Sequence, residues 1–116
     1  MVIDNDAAIL AASTALLRRW SCTVTAARSP AEAIALARVA GGTDVILADY
    51  HLDDGRTGLD AIADLRQLAG RPVPAIVVTA DHSLEVAAAV REAEAELLHK
   101  PVRPAELRAL LAHMLG

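Results

Sequence analysis

Four short apolar runs, each broken off by a polar residue, constrain this chain more than anything else in it. The clearest is Val45-Ile46-Leu47-Ala48, which ends at Asp49. Such a run is too short for a helix, and with no polar alternation it suits a strand buried on both faces. Val2-Ile3 runs into Asp4-Asn5-Asp6, Ala75-Ile76-Val77-Val78 into Thr79, and Leu97-Leu98 through His99 into Lys100-Pro101. Strands of this kind belong to parallel sheets, and open α/β sheets bind ligands at the carboxyl ends of their strands. Laid side by side, the four ends bring Asp4, Asn5, Asp49, Thr79 and Lys100 to one edge.

Between the runs lie helical segments. Asp6 to Trp20 reads as a helix with Ile9, Leu10, Leu16 and Leu17 near one face and Arg18 and Arg19 at its carboxyl end, where cations suit the dipole. Ser21 breaks it, and Cys22-Thr23-Val24-Thr25-Ala26 alternates like a further strand. Ser29-Pro30-Ala31-Glu32 is a helix start: Ser29 caps, Pro30 takes the first helical position and Glu32 is placed to close a capping box. That helix runs to Val39 and stops at Gly41-Gly42. Gly58 to Ala69 follows, with Leu59, Ile62, Leu65, Leu68 and Ala69 as its expected buried stripe. Leu84 to Glu94 is an Ala-rich helix anchored by Val86 and Val90, with Asp81 and Ser83 as possible caps. Pro104 begins the last helix, whose stripe is Leu107, Leu110, Leu111 and Leu115. Five strand–helix units without repeats or linkers predict one domain spanning residues 1–116: an α/β sandwich with a parallel sheet covered on both faces.

Composition narrows the function. Trp20 and Tyr50 are the whole aromatic content, so the core is built of Ala, Val, Leu and Ile. The formal charge is −4, with no basic stripe, which argues against direct nucleic-acid binding. Lys100 is the one lysine in the chain, which singles it out. Cys22 is a lone cysteine, so no disulfide framework exists; it is expected to be a small core residue in a reducing, cytoplasmic setting. No apolar run approaches membrane-spanning length, and no signal peptide precedes the first strand.

With these residues placed, the chain resembles a receiver domain of two-component signalling over essentially its whole length. The matching features are Ile3-Asp4-Asn5-Asp6, Asp49, Thr79-Ala80 and Lys100-Pro101, each after the expected strand. The resemblance implies a flavodoxin-like, CheY-like doubly wound sandwich with five helices and a five-stranded parallel sheet in the order 2-1-3-4-5. The wording Leu47-Ala48-Asp49-Tyr50-His51-Leu52, Thr57-Gly58-Leu59-Asp60-Ala61-Ile62 and Leu98-His99-Lys100-Pro101-Val102 is most similar to receivers fused to hybrid sensor histidine kinases.

The chemistry that this resemblance implies suits the residue types. Asp49 would accept a phosphoryl group from a phosphohistidine, as carboxylates can form acyl-phosphates. The resulting adduct would hydrolyse slowly, so the resemblance implies a phosphoacceptor with slow autodephosphorylation. Asp4, Asn5 and Asp49, with the backbone carbonyl of His51, would hold Mg²⁺, a hard ion that prefers oxygen. Asn5 departs from the family, which usually has a second acid there, so weaker metal binding is expected. Asp6 reads better as a helix cap than as a ligand. Lys100 would set an ammonium on a phosphoryl oxygen. Its bond to Pro101 resembles the family's cis peptide. Thr79 would offer a hydroxyl, and the small Ala80 leaves room for the phosphodonor. The Asp53-Asp54-Gly55 cluster reads as turn chemistry. His51 stands beside the nucleophile, where it could tune dephosphorylation, and the four histidines form no metal-spaced set. No Gly-rich nucleotide loop follows the first strand.

Two positions depart from the family's switch pattern. Leu97 stands where many receivers carry an aromatic that moves on activation. Glu94 stands where a Gly commonly leaves the fourth helix, so a rebuilt turn is expected there. The competing readings are a stand-alone response regulator, a degenerate receiver serving as a protein-binding module, and a small phosphatase with an aspartyl nucleophile. The first strand lies hard against Met1 and no basic linker follows the last helix. Together with the wording around Asp49, this predicts that the domain belongs to a hybrid histidine kinase. Its partner is then a kinase core or a histidine phosphotransfer domain, with no membrane contact of its own and a monomeric isolated form.

Overall fold

The structure, a computed structural model, describes residues 1–52 and 55–115. The chain runs β1 (Val2–Ile3), α1 (Ala7–Arg19), β2 (Ala26–Ala27), α2 (Pro30–Ala40), β3 (Ile46–Asp49), α3 (Gly58–Ala69), β4 (Ala75–Thr79), α4 (Leu84–Glu92), β5 (Glu96–His99) and α5 (Pro104–Leu115). All neighbouring strands are parallel, in the order β2-β1-β3-β4-β5. This is the flavodoxin-like order, with helices on both faces of the sheet.

Successive strand residues point to opposite faces, and the two cores follow that alternation. Ile3, Ile46, Ala48, Ala75 and Val77 pack with Ala33 of α2, Ala61, Ile62 and Leu65 of α3, and Val86 and Val90 of α4. Val2, Leu47, Ile76, Val78 and Leu98 pack with Leu10 and Leu17 of α1 and Leu107 and Leu111 of α5. The residues between them bear on the site: the same register that buries these side chains sets the strand ends level. Val2 pairs with Leu47, Leu47 with Ile76, and Val77 with Leu97, so Asp4, Asp49, Thr79 and Lys100 emerge along one edge.

The helix starts act much as expected. Asp6 caps α1, accepting from the N–H groups of Ala8 (2.9 Å) and Ile9 (3.1 Å). Ser29 Oγ accepts from Glu32 N–H (3.1 Å) at the start of α2. The two-way capping box is at α3, between Thr57 and Asp60. Ser83 caps α4, and Asp81 in turn accepts from Ser83 N–H (2.8 Å).

Three expectations need correction. The alternating stretch from Cys22 is not a strand, and Cys22 is exposed rather than part of the core. Ser21 takes a left-handed conformation (φ 65°), its N–H donates to Arg18 O (3.0 Å), and Cys22 N–H donates to Leu17 O (3.1 Å). That Schellman turn commits the Cys22 backbone to the end of α1. Strand pairing begins only where Val2 N–H meets Thr25 O, and β2 proper is Ala26–Ala27. The buried stripes are also shorter than the apolar pattern suggests. Ile9, Leu68 and Leu115, near helix ends, are exposed, while α3 buries its small Gly58 and Ala61 beside Ile62 and Leu65.

The turn at Glu94 is not rebuilt. Glu94 keeps a left-handed conformation (φ 55°), with Glu94 N–H to Arg91 O (3.0 Å) and Ala95 N–H to Val90 O (3.2 Å). Arg66 of α3 reaches across to support it. Its guanidinium donates to Val73 O (2.9 Å), to Ala93 O and to Glu94 O (2.9 Å). A planar fork with several donors can satisfy three carbonyls at once, which holds a conformation that a side-chain-bearing residue otherwise resists.

Candidate functional site

The acid at the end of β3 meets the lysine at the end of β5. Lys100 Nζ lies 3.0 Å from Asp49 Oδ1, with the Asp49 side chain 9% and the Lys100 side chain 31% exposed. The Lys100-Pro101 peptide bond is cis. Asp4 is buried at the end of β1, and its Oδ1 accepts from Asp6 N–H (2.9 Å). Burial pushes the Asp4 carboxyl up from its ordinary range, the Asp6 bond pulls it down, and the charge of Asp49 pushes it up again against the pull of Lys100. Two carboxylates therefore share a desolvated corner with one ammonium. Asn5, half-buried, follows Asp4 directly.

Thr79 is almost fully buried, at the end of β4. Its Oγ1 accepts from Asp81 N–H (3.0 Å), which leaves the hydroxyl proton available for another acceptor. Backbone and side-chain hydrogen bonds from Ser83 hold the Asp81 carboxyl below its usual range, helped by the nearby His51 and His82. Leu97 is half-buried against the core on the α2–α4 face.

The chain leaving Asp49 is held on both sides. Tyr50 N–H donates to Val78 O (2.9 Å), Gly58 N–H donates to Tyr50 O (2.8 Å), and His51 forms an antiparallel bridge with Thr57. Asp53 and Asp54, read as turn residues, lie outside the described residues. Gly58 is a site residue that the sequence reading treats only as a helix start. A Cβ built on it would stand 2.4 Å from Asp49 O and 3.3 Å from Ala48 Cβ, so only Gly lets α3 begin this close to the acid. The one hint in the sequence is a Gly at the first position of a helix, directly after a capping Thr.

The donor set suits a small hard cation. Among the described residues, no cluster of three or more His, Cys, Asp or Glu is placed to hold a metal. What the site does offer is oxygen: the buried Asp4 and Asp49 carboxylates at the ends of neighbouring strands, with Asn5 next in sequence to Asp4. Two desolvated carboxylates beside a single lysine fit an oxygen-preferring divalent ion, which would relieve their mutual repulsion. A cleft of about 580 Å³ opens from Asp4, Asp49 and Lys100, walled by apolar residues of α1 and by Val102 and Leu107.

The fold is a doubly wound α/β domain whose carboxyl edge carries an acid pair, a hydroxyl and a lysine. Over residues 1–112 the chain matches the response regulator receiver domain family, and it belongs to that family. It is therefore a receiver domain of two-component signalling. It is 26% identical over 117 residues to the two-component response regulator ORR7 of Oryza sativa subsp. japonica, covering 99% of this chain and 55% of that protein. It is 37% identical over 89 residues to the phyllosphere-induced regulator PhyR of Methylorubrum extorquens, covering 77% of this chain and 32% of that protein. The chain thus spans about half or less of the curated relatives it matches. Among solved structures, a CheY-like receiver domain protein from Methanospirillum hungatei JF-1 superposes with a TM-score of 0.86 at 28% identity, covering 98% of this chain and 90% of that one. The chemotaxis protein CheY4 of Vibrio cholerae superposes with a TM-score of 0.87 at 24% identity, covering 98% and 95%. At that identity the likeness to CheY4 speaks for the fold. No helix among the described residues is long and apolar enough to cross a membrane.

Proposed function

We propose that Asp49 is the phosphoacceptor of this receiver. The observation that carries the reading is the 3.0 Å Lys100–Asp49 pair at the sheet edge, with the buried Asp4 carboxyl on the neighbouring strand. In the forward step an Asp49 carboxylate oxygen bonds to phosphorus as the P–N bond of a phosphohistidine breaks, and the electron pair leaves with the imidazole. Lys100 neutralises charge on the transferred group, and the Thr79 hydroxyl donates to one of its oxygens. Asp4, Asn5, Asp49 and the His51 carbonyl would hold Mg²⁺. The ion supplies charge neutralisation on the phosphoryl oxygens. In the return step water attacks phosphorus, the P–O bond to Asp49 breaks, and inorganic phosphate leaves.

The finer placement is inside a hybrid sensor histidine kinase, in the cytoplasm, with a kinase core or histidine phosphotransfer domain as donor. Tethering raises the effective concentration of donor and acceptor, so a fused receiver functions with a weak docking surface. The similarity of the sequence around Asp49 and Lys100 to fused receivers supports this placement. The reading frame on either side tests it: a continuation past Gly116 into a helix-turn-helix would overturn it.

For the chemistry, incubation with Mg²⁺ and acetyl phosphate is expected to add one phosphoryl group, labile to hydroxylamine. Asp49→Asn is expected to abolish the adduct. Equal labelling of that variant would move the acceptor elsewhere.

A further inference from the structure

The loop between β4 and α4 carries a contact that the proposed chemistry does not use. The rings of His82 and His99 lie parallel, with centroids 4.0 Å apart and planes 7° from each other. His82 is an exposed residue of that loop; His99 is the last residue of β5, directly before Lys100. An exposed loop side chain has rotamer freedom to lose, so a close parallel stack requires that the loop be held where the two rings meet.

The hydrogen bonds around the stack show what it fastens. Asp81 N–H donates to Thr79 Oγ1 (3.0 Å), and Ser83 N–H donates to Asp81 Oδ1 (2.8 Å). The first bond fastens the loop to the end of β4 and the second sets the turn that leads into α4; neither reaches β5. Thr79 pairs with His99 across the sheet, and Lys100 N–H donates to Thr79 O (2.9 Å). The His82–His99 stack is a side-chain contact between the loop and β5. One end of this chain of contacts holds the Thr79 hydroxyl, and the other is one residue from the lysine that pairs with Asp49.

We propose that His82 and His99 are positioning residues, whose stacked rings tie the loop that orients the Thr79 hydroxyl to the strand end that carries Lys100. Sheet pairing sets the spacing of the two strand ends, and the stack fixes the loop whose Asp81 N–H orients the Thr79 hydroxyl between them. Without it the loop keeps its internal turn but drifts from β5, and the Thr79 hydroxyl spends less time where a transferred oxygen would lie. This role rests on the phosphoacceptor reading of Asp49, although the tether itself does not.

The test has two arms. In the first, labelling by acetyl phosphate with Mg²⁺ is followed for wild type, His82→Ala, His99→Ala, the double Ala variant, and a His82→Phe/His99→Phe variant that keeps two stacking rings. Each single Ala change is expected to lower the maximal rate by roughly two- to tenfold, the scale of one aromatic pair. The double Ala variant should be no slower than either single, since the rings act as one unit. The Phe pair should restore most of the rate, and the Mg²⁺ concentration for half-maximal labelling should stay as in wild type. Wild-type rates in the single Ala variants, or multiplying effects in the double, would overturn the proposal. The second arm needs no phosphodonor: amide hydrogen exchange at Asp81 and Ser83, expected to quicken in the Ala variants and recover in the Phe pair. Unchanged exchange there overturns the tether even if Asp49 proves not to be labelled, whereas an unlabelled wild type with quickened exchange in the variants would retain the tether and overturn the phosphoacceptor reading.

Discussion

Gly58 and Asp49 meet backbone to backbone: a Cβ on Gly58 would fall 2.4 Å from the Asp49 carbonyl oxygen and 3.1 Å from its carbonyl carbon. The obstacle is main chain, so a larger residue cannot be accommodated by turning a neighbouring side chain. Gly58→Ala is expected to destabilise the fold by about 1–3 kcal/mol, the usual cost of overpacking a close contact. It should also slow labelling at Asp49, because relief requires α3 and the acid to move apart. Urea unfolding and the labelling rate check the two parts; a variant as stable and as fast as wild type would mean that the close approach is incidental.

Asn5 stands beside Asp4 where a second acid would add a full charge. Asn5→Asp is expected to tighten Mg²⁺ binding by something on the order of 1 kcal/mol, since the new carboxylate is partly desolvated and faces the same ion. Calorimetric titration measures it directly. Unchanged or weaker binding would remove residue 5 from the ligand set.

Asp4 and Asp81 should shape the acid stability of the metal-free protein in opposite senses. The Asp4 carboxyl is raised, mainly by burial, so the folded state holds its proton more tightly than the unfolded chain does. Its contribution is therefore fully present below the unfolded pKa and is lost as pH rises through the folded one. Asp81 is lowered, chiefly by its bonds from Ser83, so its contribution is present above the unfolded pKa and is lost as pH falls through the folded one. Without Mg²⁺, Asp4→Asn is expected to raise the midpoint of thermal unfolding at neutral pH, and Asp81→Asn to lower it. Melting curves at neutral pH would contradict this if both variants shifted the same way.

Arg66 supports three carbonyls around the end of α4 while Glu94 sits in a left-handed conformation. Arg66→Met keeps much of the stem and removes the donors, and is expected to cost about 2 kcal/mol. Adding Glu94→Gly should recover part of the loss by relieving the backbone. If Glu94→Gly gains as much in wild type as in the Arg66 variant, the two residues are not coupled.

These residues also mark how far the sequence could be read. The strand ends were legible because each apolar run stops at a polar side chain, which placed Asp4, Asn5, Asp49, Thr79 and Lys100 on one edge. The helix starts were legible from Asp6, Ser29 and Ser83, whose capping is local. The second strand was not. Cys22 to Thr25 alternates as a strand does, but the left-handed Ser21 that keeps Cys22 on the end of α1 carries no signature in its residue type. Gly58 and the Arg66–Glu94 pairing escaped for another reason: each depends on a contact between distant segments, which no local pattern records. The histidine stack belongs to the same class, since His82 and His99 meet only after β4 and β5 pair.

The thin aromatic content has an optical consequence. Tyr50 is the residue after Asp49, whereas Trp20 caps the far end of α1, under Arg108 at 5.7 Å. Thirteen helical residues separate that end from the site, about 20 Å at the ordinary rise. The molecule thus carries one chromophore beside the acid and the other at the far end of α1, packed on opposite faces of the sheet. Emission from Tyr50 reports the chemistry beside the acid, and emission from Trp20 reports whether anything has been transmitted along α1 to the opposite pole of the sheet.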